Sequence, residues 1–350
     1  MRDPLRALQH PIVQAPMGGG ASTPALAAAV SDAGGLGFLA AGMRELDGVR
    51  ADVEAVRALT RRPFGINVFA PPRPVPDPQA VERYARALGE RYGGAVGVPR
   101  HDDDGWESKL ALVAEARVPI VSFTFGCPPS EVVRRLQAGD ARVWVTVTTP
   151  SEARLAEQAG ADALVVQGVE AGGHRGSFDD DAPTDLGLLA ALQLVAAASR
   201  LPLVATGGLA TGRAVAAVLA AGAVAAQLGT AFMLAPEAAT SGVHREALAG
   251  AGETALTRAF TGRTGRGIVN RFQREHTPDA PRGYPDVHHI TAPLRRAARD
   301  RGDGERVHLW AGQAHTLAQP VPAGELVRRL GAEARAALRE AAERVSAAGD

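Results

Sequence analysis

The sequence predicts a (β/α)8 TIM barrel followed by a mainly helical C-terminal extension. Three observations carry this. Eight short apolar runs recur before residue 236, most of them without polar alternation, as strands buried on both faces should be. Each run closes on glycine or a polar residue, and Ala/Leu-rich stretches that stop at Gly or before Pro fill most of the gaps. A doubly wound open sheet built from the same units is the alternative arrangement.

In chain order the expected strands are 11–17, 36–41, 64–69, 120–125, 143–148, 163–167, 203–206 and 224–228. The expected helices are 24–33, opened by a proline, then 47–60, 107–116, 129–138, 151–159 capped by Ser151, 185–199, and 211–221 capped by Thr211. Residues 70–104 break the rhythm with five prolines, from Pro71 to Pro78, and the acidic run Asp102-Asp103-Asp104. They read as a long excursion after the third strand, with one helix near 81–92, on the face where barrel loops serve the active site. From 236 to 350 the strand rhythm stops. Helical patterns at 236–250, 288–301 and 323–347 surround an Arg/Gly-rich piece at 257–274, which together read as a helical extension acting as a lid or second domain, with the last helix packed back on the barrel.

The 38 basic and 38 acidic residues of the 350-residue chain cancel, so no global field draws it to nucleic acid or anionic lipid. With 46% hydrophobic and 22% charged residues it is an ordinary globular chain. Cys127 is the only cysteine, which excludes an internal disulfide and a cysteine-based zinc cluster. The opening Met1-Arg2-Asp3-Pro4-Leu5 lacks a signal-peptide core and no apolar run reaches membrane-spanning length, so the expected setting is soluble and cytoplasmic.

Catalytic groups in such a barrel sit at the C-terminal strand ends. Gly207-Gly208 after the seventh strand and Gly229-Thr230 after the eighth form a candidate phosphate site, because glycines let backbone N–H groups approach phosphate oxygens. The phosphate belongs either to a phosphorylated substrate or to FMN. Asn67 and Gln167 place amides at the ends of apolar strands, where they can bond along the edge of a flat heterocycle. The alternative for each is a buried amide tied to a loop backbone. Ala15-Pro16-Met17-Gly18 offers a small, flat wall, and His174, flanked by glycines, is a candidate proton acceptor, with Glu170 orienting its loop. The arginines Arg258, Arg263, Arg266, Arg271 and Arg274 read as a solvated, salt-bridged surface, and Asp102–Asp104 as a solvated loop with no metal.

Taken together, Gln14-Ala15-Pro16-Met17, Gly65-Ile66-Asn67-Val68-Phe69, Glu170-Ala171-Gly172-Gly173-His174-Arg175-Gly176, Gln227-Leu228-Gly229-Thr230 and, beyond the barrel, Arg266-Gly267-Ile268-Val269-Asn270-Arg271-Phe272 and Leu309-Trp310-Ala311-Gly312-Gln313 resemble the motifs of FMN-dependent nitronate monooxygenases. The resemblance implies FMN held by Asn67, Gln167, Gly172, Gly208 and Gln227, Leu228, Gly229 and Thr230, with Ala15 to Gly18 and Gly207 beside it and His174 as the catalytic histidine. It also implies oxidation of alkyl nitronates, such as propionate 3-nitronate, by O₂ to a carbonyl compound and nitrite through a flavin semiquinone. A homodimer is one assembly it allows. Gly18-Gly19-Gly20 departs from the alanine commoner after the family's methionine, and Cys127 from the usual aliphatic residue; the thiol reads as a small packing group. The competing functions are an FMN-dependent NAD(P)H reductase of quinones or enoyl thioesters and a flavin-free isomerase or lyase of a phosphorylated metabolite.

Overall fold

A computed structural model describes residues 4–181 and 184–347; residues 1–3, read above for a missing signal core, lie outside them. In chain order the strands are β1 Ile12–Gln14, β2 Phe38–Ala40, β3 Gly65–Phe69, β4 Ile120–Thr124, β5 Arg142–Val147, β6 Ala163–Gln167, β7 Gly173–His174, β8 Leu203–Thr206, β9 Ala225–Leu228, β10 Thr254–Thr257 and β11 Gly265–Ile268. The helices are α1 Pro24–Asp32, α2 Leu46–Leu59, α3 Pro78–Tyr92, α4 Trp106–Glu115, α5 Ser130–Ala138, α6 Pro150–Ala159, α7 Leu188–Ala198, α8 Gly212–Ala220, α9 Gly242–Ala249, α10 Arg271–His276, α11 Asp286–Asp300 and α12 Ala323–Ala347.

Eight strands form one parallel sheet in the order β1-β9-β8-β6-β5-β4-β3-β2. A parallel bridge from Val13 to Leu36 joins its two ends, so the sheet closes into the expected barrel. The two-residue strand period divides the side chains. Ile66, Val121, Val145, Leu164, Ala205 and Ala226 face outward into the helix layer. Val13, Phe38, Ile120, Trp144, Val165, Val204 and Ala225 fill the interior, with the Phe38 and Trp144 rings 5.5 Å apart. The next inward positions toward the strand ends are Asn67, Thr124, Thr146, Gln167, Thr206 and Gln227, a polar mouth above an apolar floor.

Three boundaries differ from the sequence reading for local reasons. Strand β1 ends at Gln14 because the Gln14 amide donates to Ser22 Oγ (2.9 Å), which itself accepts from Met17 N (2.8 Å), curling 15–22 into a loop. Helix α6 is capped by Thr149, whose hydroxyl accepts from Glu152 N with Pro150 in the first turn; Ser151 is already helical. Helix α7 starts at Leu188, where the Glu170 carboxylate accepts from the Leu188 amide at 3.0 Å.

The extension is less helical than its composition suggested. Within it β10 and β11 form a hairpin, and β11 pairs antiparallel with β7, matching Gly265 with His174 and Arg266 with Gly173. The excursion also belongs to this layer: Val81, Tyr84 and Leu88 of α3 share a core with Phe260, Phe272, Ile290 and Leu294, and the Tyr84 hydroxyl donates to Ala259 O at 2.8 Å. The solvated-arginine reading fails for Arg263 and Arg266, which are buried and donate to carbonyls of the 169–177 loop. The solvated-loop reading fails for Asp104, whose largely covered carboxylate meets buried Lys109 (2.6 Å) and accepts from Met43 N (3.0 Å). Cys127 is half-buried and its thiol is pushed up to about 11 by burial, consistent with packing.

Helix α12 lies against α1 and α8, burying Leu326, Val327 and Leu330 in the outer core. Glu333 accepts from Gly212 N at 3.0 Å, at the first turn of α8. A Cβ on Gly212 would stand 2.2 Å from Glu333 Cβ and 2.8 Å from Ala334 N. Gly212→Ala is therefore expected to lower stability by about 1–3 kcal/mol, the usual cost of overpacking. Urea unfolding at matched pH checks this, with Gly89→Ala, where a Cβ would meet nothing within 4 Å, as the control.

No helix among the described residues is long and apolar enough to cross a membrane.

Candidate active site

A cavity of about 620 Å³ opens at the C-terminal ends of the barrel strands, between the barrel and the extension. Every site residue singled out in the sequence lines it: Ala15 to Gly18, Asn67, Gln167, Gly172, His174, Gly207, Gly208 and Gln227 to Thr230. No aspartate or glutamate does so among the described residues, whereas Arg44, Arg295, Arg296 and Arg299 all do.

The two strand-end amides behave differently. Asn67 Oδ1 accepts from Ser122 Oγ (2.8 Å) and Thr124 Oγ1 (3.0 Å), which leaves the Nδ2 of this cavity-lining residue without a hydrogen-bond partner among the described residues. Gln167 is occupied by the next loop: its Oε1 accepts from Gly176 N (2.8 Å) and Arg175 Nη1 (3.1 Å), and its Nε2 donates to His174 O (3.1 Å). The Arg175 guanidinium, 1% exposed, also donates to Gly168 O at 2.7 Å. Gln167 and Arg175 thus fix the backbone on either side of His174.

Glycine is required in this loop by contact as well as conformation. A Cβ on Gly172 would come within 2.5 Å of Ala311 C and Gly312 N. Gly207 and Gly208 have φ of +125° and +66°, a region L-residues rarely enter, and a Cβ on Gly208 would meet Glu170 Cβ at 2.9 Å. Gly229 differs, since a Cβ there finds only ordinary contacts with Ala15 and Met17. The glycines around the mouth thus leave a backbone-lined cradle open.

His174 sits in β7, stapled by the extension hairpin. Its Nε2 lies 2.9 Å from Thr261 Oγ1, which in turn lies 3.2 Å from Arg263 O. Phe125, Tyr284 and Trp310 surround the ring with centroids 5.6, 5.9 and 5.2 Å away. The Arg263 guanidinium lies over the Phe125 ring, 4.0 Å from its centroid. Burial, then the charges of Arg263 and Arg295, lowers the His174 imidazole to about 3, so the ring is neutral throughout the physiological range.

The sequence reading missed the cavity's other wall. Tyr284, His288, Arg295, His308, Trp310 and His244 all come from the extension, and His244, on α9, donates its Nε2–H to Trp310 O at 3.0 Å. A weak signal existed: His288 and Arg295 are seven residues apart, two helical turns along one face. It could not be tied to the barrel because the partner His308 lies in a separate loop.

Reactions in barrels of this architecture take place at the strand ends, and the groups gathered there suit a small anionic molecule, so fold and site define a barrel enzyme. The chain matches the nitronate monooxygenase family model over residues 3–333 and belongs to that family. It is similar to the nitronate monooxygenase of Pseudomonas aeruginosa, 45% identical with 95% of this chain and 98% of that one covered. The nitronate monooxygenase of Paraburkholderia phytofirmans is 42% identical over 96% and 95%. A nitroalkane oxidase structure from Streptomyces ansochromogenes has a TM-score of 0.93 at 51% identity, covering 97% of this chain and 99% of that one. FabK from Thermotoga maritima scores 0.76 at 27% identity, over 98% and 97%.

Burial leads the lowering of four cavity imidazoles: His174 to about 3, His244 to about 4, His288 to about 2, and His308 well below its usual value. The unfolded chain takes up these protons near pH 6.5 while the folded chain does not. Stability is therefore fully present above pH 6.5 and is lost as pH falls toward the folded values, by up to about 1.4 kcal/mol per pH unit for each imidazole. The urea midpoint should fall steadily from pH 7 to pH 5. A level midpoint across that window would contradict the neutral, buried imidazoles.

Proposed function

We propose that this cavity holds FMN and that the chain oxidises alkyl nitronates, such as propionate 3-nitronate, with O₂ to a carbonyl compound and nitrite. The observation that carries the reading is a cavity lined by arginines, neutral imidazoles and glycines, with no carboxylate among the described residues. A dianionic phosphate and an anionic substrate each supply the charge it lacks.

The residues present fit the cofactor. Gly207-Gly208 and Gly229-Thr230 would receive its phosphate, and Asn67 Nδ2, aimed by Ser122 and Thr124, would donate to an acceptor on the ring edge. Gln167 contributes mainly by holding the His174 loop. When bound, flavin supplies the electron acceptor for the nitronate and the site of reaction with O₂.

His174 is the group placed to handle a proton. The Thr261 hydroxyl donates its single proton to Arg263 O, so the imidazole donates Nε2–H to Thr261 and keeps the Nδ1 lone pair for substrate. A ring lowered to about 3 is unprotonated but weakly basic. It therefore favours a nitronate, already deprotonated at carbon, over a neutral nitroalkane, whose α-proton it would have to remove. Trp310, Tyr284 and Phe125 exclude water around it.

Purified protein should be yellow, and should release nitrite from a nitronate without NAD(P)H; a colourless protein that cannot be reconstituted with FMN refutes the reading, and dependence on NAD(P)H would favour a reductase. His174→Asn should keep its flavin spectrum and lose about 10²–10⁴-fold in nitroalkane turnover, with a smaller loss on nitronate. Gly229→Asp tests the phosphate loop. A Cβ is tolerated there and the carboxylate would place negative charge beside the phosphate, so flavin content after gel filtration should drop while the fold, read by circular dichroism, is kept.

A further inference from the structure

Arg295 is a buried cation that pairs with no carboxylate among the described residues. It is 4% exposed, on α11, and its donors go to neutral acceptors. Nε donates to Thr291 Oγ1 (3.0 Å), Nη1 to His308 Nδ1 (3.0 Å), and Nη2 to His288 Nδ1 (3.2 Å) and His288 O (3.0 Å). Four of the five guanidinium N–H groups are used this way, which leaves little for direct ligand binding.

The bonding fixes both histidines. A guanidinium only donates, so each Nδ1 that it meets must be an unprotonated acceptor, and each neutral ring carries its proton on Nε2. Neither Nε2 has a hydrogen-bond partner among the described residues, and both rings line the cavity. The His308 Nε2 faces the Gly18–Gly20 loop, where a Cβ on Gly19 would lie 3.8 Å from it. Trp310 stands between His308 (5.4 Å) and His174 (5.2 Å), so these donors share a wall with His174.

We propose that Arg295 is a positioning residue that presents His288 and His308 to the cavity as a pair of Nε2–H donors, and that this pair hydrogen-bonds the anionic nitronate oxygens. The assignment rests on the nitronate reading above. The buried cation polarises both N–H groups toward the cavity, and a bound anion balances its charge. Neutrality of the pair does not hang on Arg295 alone. His288 also faces His289, His174 and Arg100, and His308 faces His244, Arg299 and His288.

Two measurements on the flavin-loaded enzyme test this. Nitrogen-15 NMR of histidine-labelled protein should show both rings as Nε2–H tautomers, unchanged from pH 8 to pH 5.5; an Nδ1–H tautomer at either ring overturns the proposal. Arg295→Met should mix the tautomers and raise KM for ethylnitronate about 10-fold or more, with kcat within threefold and KM for nitroethane within twofold. An unchanged KM for ethylnitronate, or a loss confined to kcat, overturns it. If Arg295→Met loses its flavin or its fold, the decision passes to His308. His308→Gln, whose amide reaches the place of the imidazole Nε2, should keep the wild-type KM for ethylnitronate, and His308→Phe should raise it; equal values for both refute the donor role. Absence of nitrite release by the wild type would sink the nitronate reading while the tautomer measurement still judges the histidine pair.

Discussion

The two-residue period of a barrel strand governs this molecule. Along β5 the inward sequence is Trp144 then Thr146, along β6 Val165 then Gln167, along β8 Val204 then Thr206, and along β9 Ala225 then Gln227. One step along each strand changes the interior from a dry plug to a ring of hydroxyls and amides. The outward residues between them stay apolar because the helices cover them. A one-residue slip in register would bury the polar ring against the helices and turn Leu164, Ala205 and Ala226 inward, so register and site are specified by the same alternation.

A barrel alone would leave the His174 loop loose. Its position comes from outside: β7 is the third strand of a sheet whose other two strands lie about ninety residues further along the chain, with Arg263 and Arg266 tying its carbonyls from above and Gln167 and Arg175 from below. Gly172 lets this layer approach, since Ala311 and Gly312 occupy the space a side chain would need. The Glu-Ala-Gly-Gly-His-Arg-Gly stretch is thus largely a docking device. Glu170 caps α7, the glycines admit the extension, Arg175 anchors the backbone, and His174 is the stretch's one titratable side chain lining the cavity.

This explains which parts of the architecture the sequence disclosed. Apolar runs and their glycine ends are local signals, so the eight barrel strands, and Asn67, His174 and the two phosphate-type loops at the mouth, could be read directly. What escaped depends on contacts far apart in the chain. Arg263 and Arg266 look like surface residues until the carbonyls they satisfy are seen, and β10 and β11 are short strands, Gly-rich in β11, with no hairpin turn signature. Gln167 reads first as an amide facing a ligand, with a loop-bound amide as the alternative, and the structure turns its amide to the loop. Asp104 sat in an acidic run that suggested solvent, yet it accepts the chain's one lysine.

The missed wall also gives the cavity its energetic character. Arg295 is held by neutral rings, so its charge stays unpaired among the described residues, and the same field helps hold His174 and His308 neutral. An arrangement of this kind costs stability when the cavity is empty, because burying a cation without a counterion is unfavourable. Anions that enter relieve the cost, and their binding energy is therefore coupled to folding. The same field restrains proton abstraction, since a cation beside an imidazole lowers its basicity, while it favours any substrate that arrives already anionic. One buried arginine thus links the two properties proposed for the site, weak proton transfer and recognition of an anion.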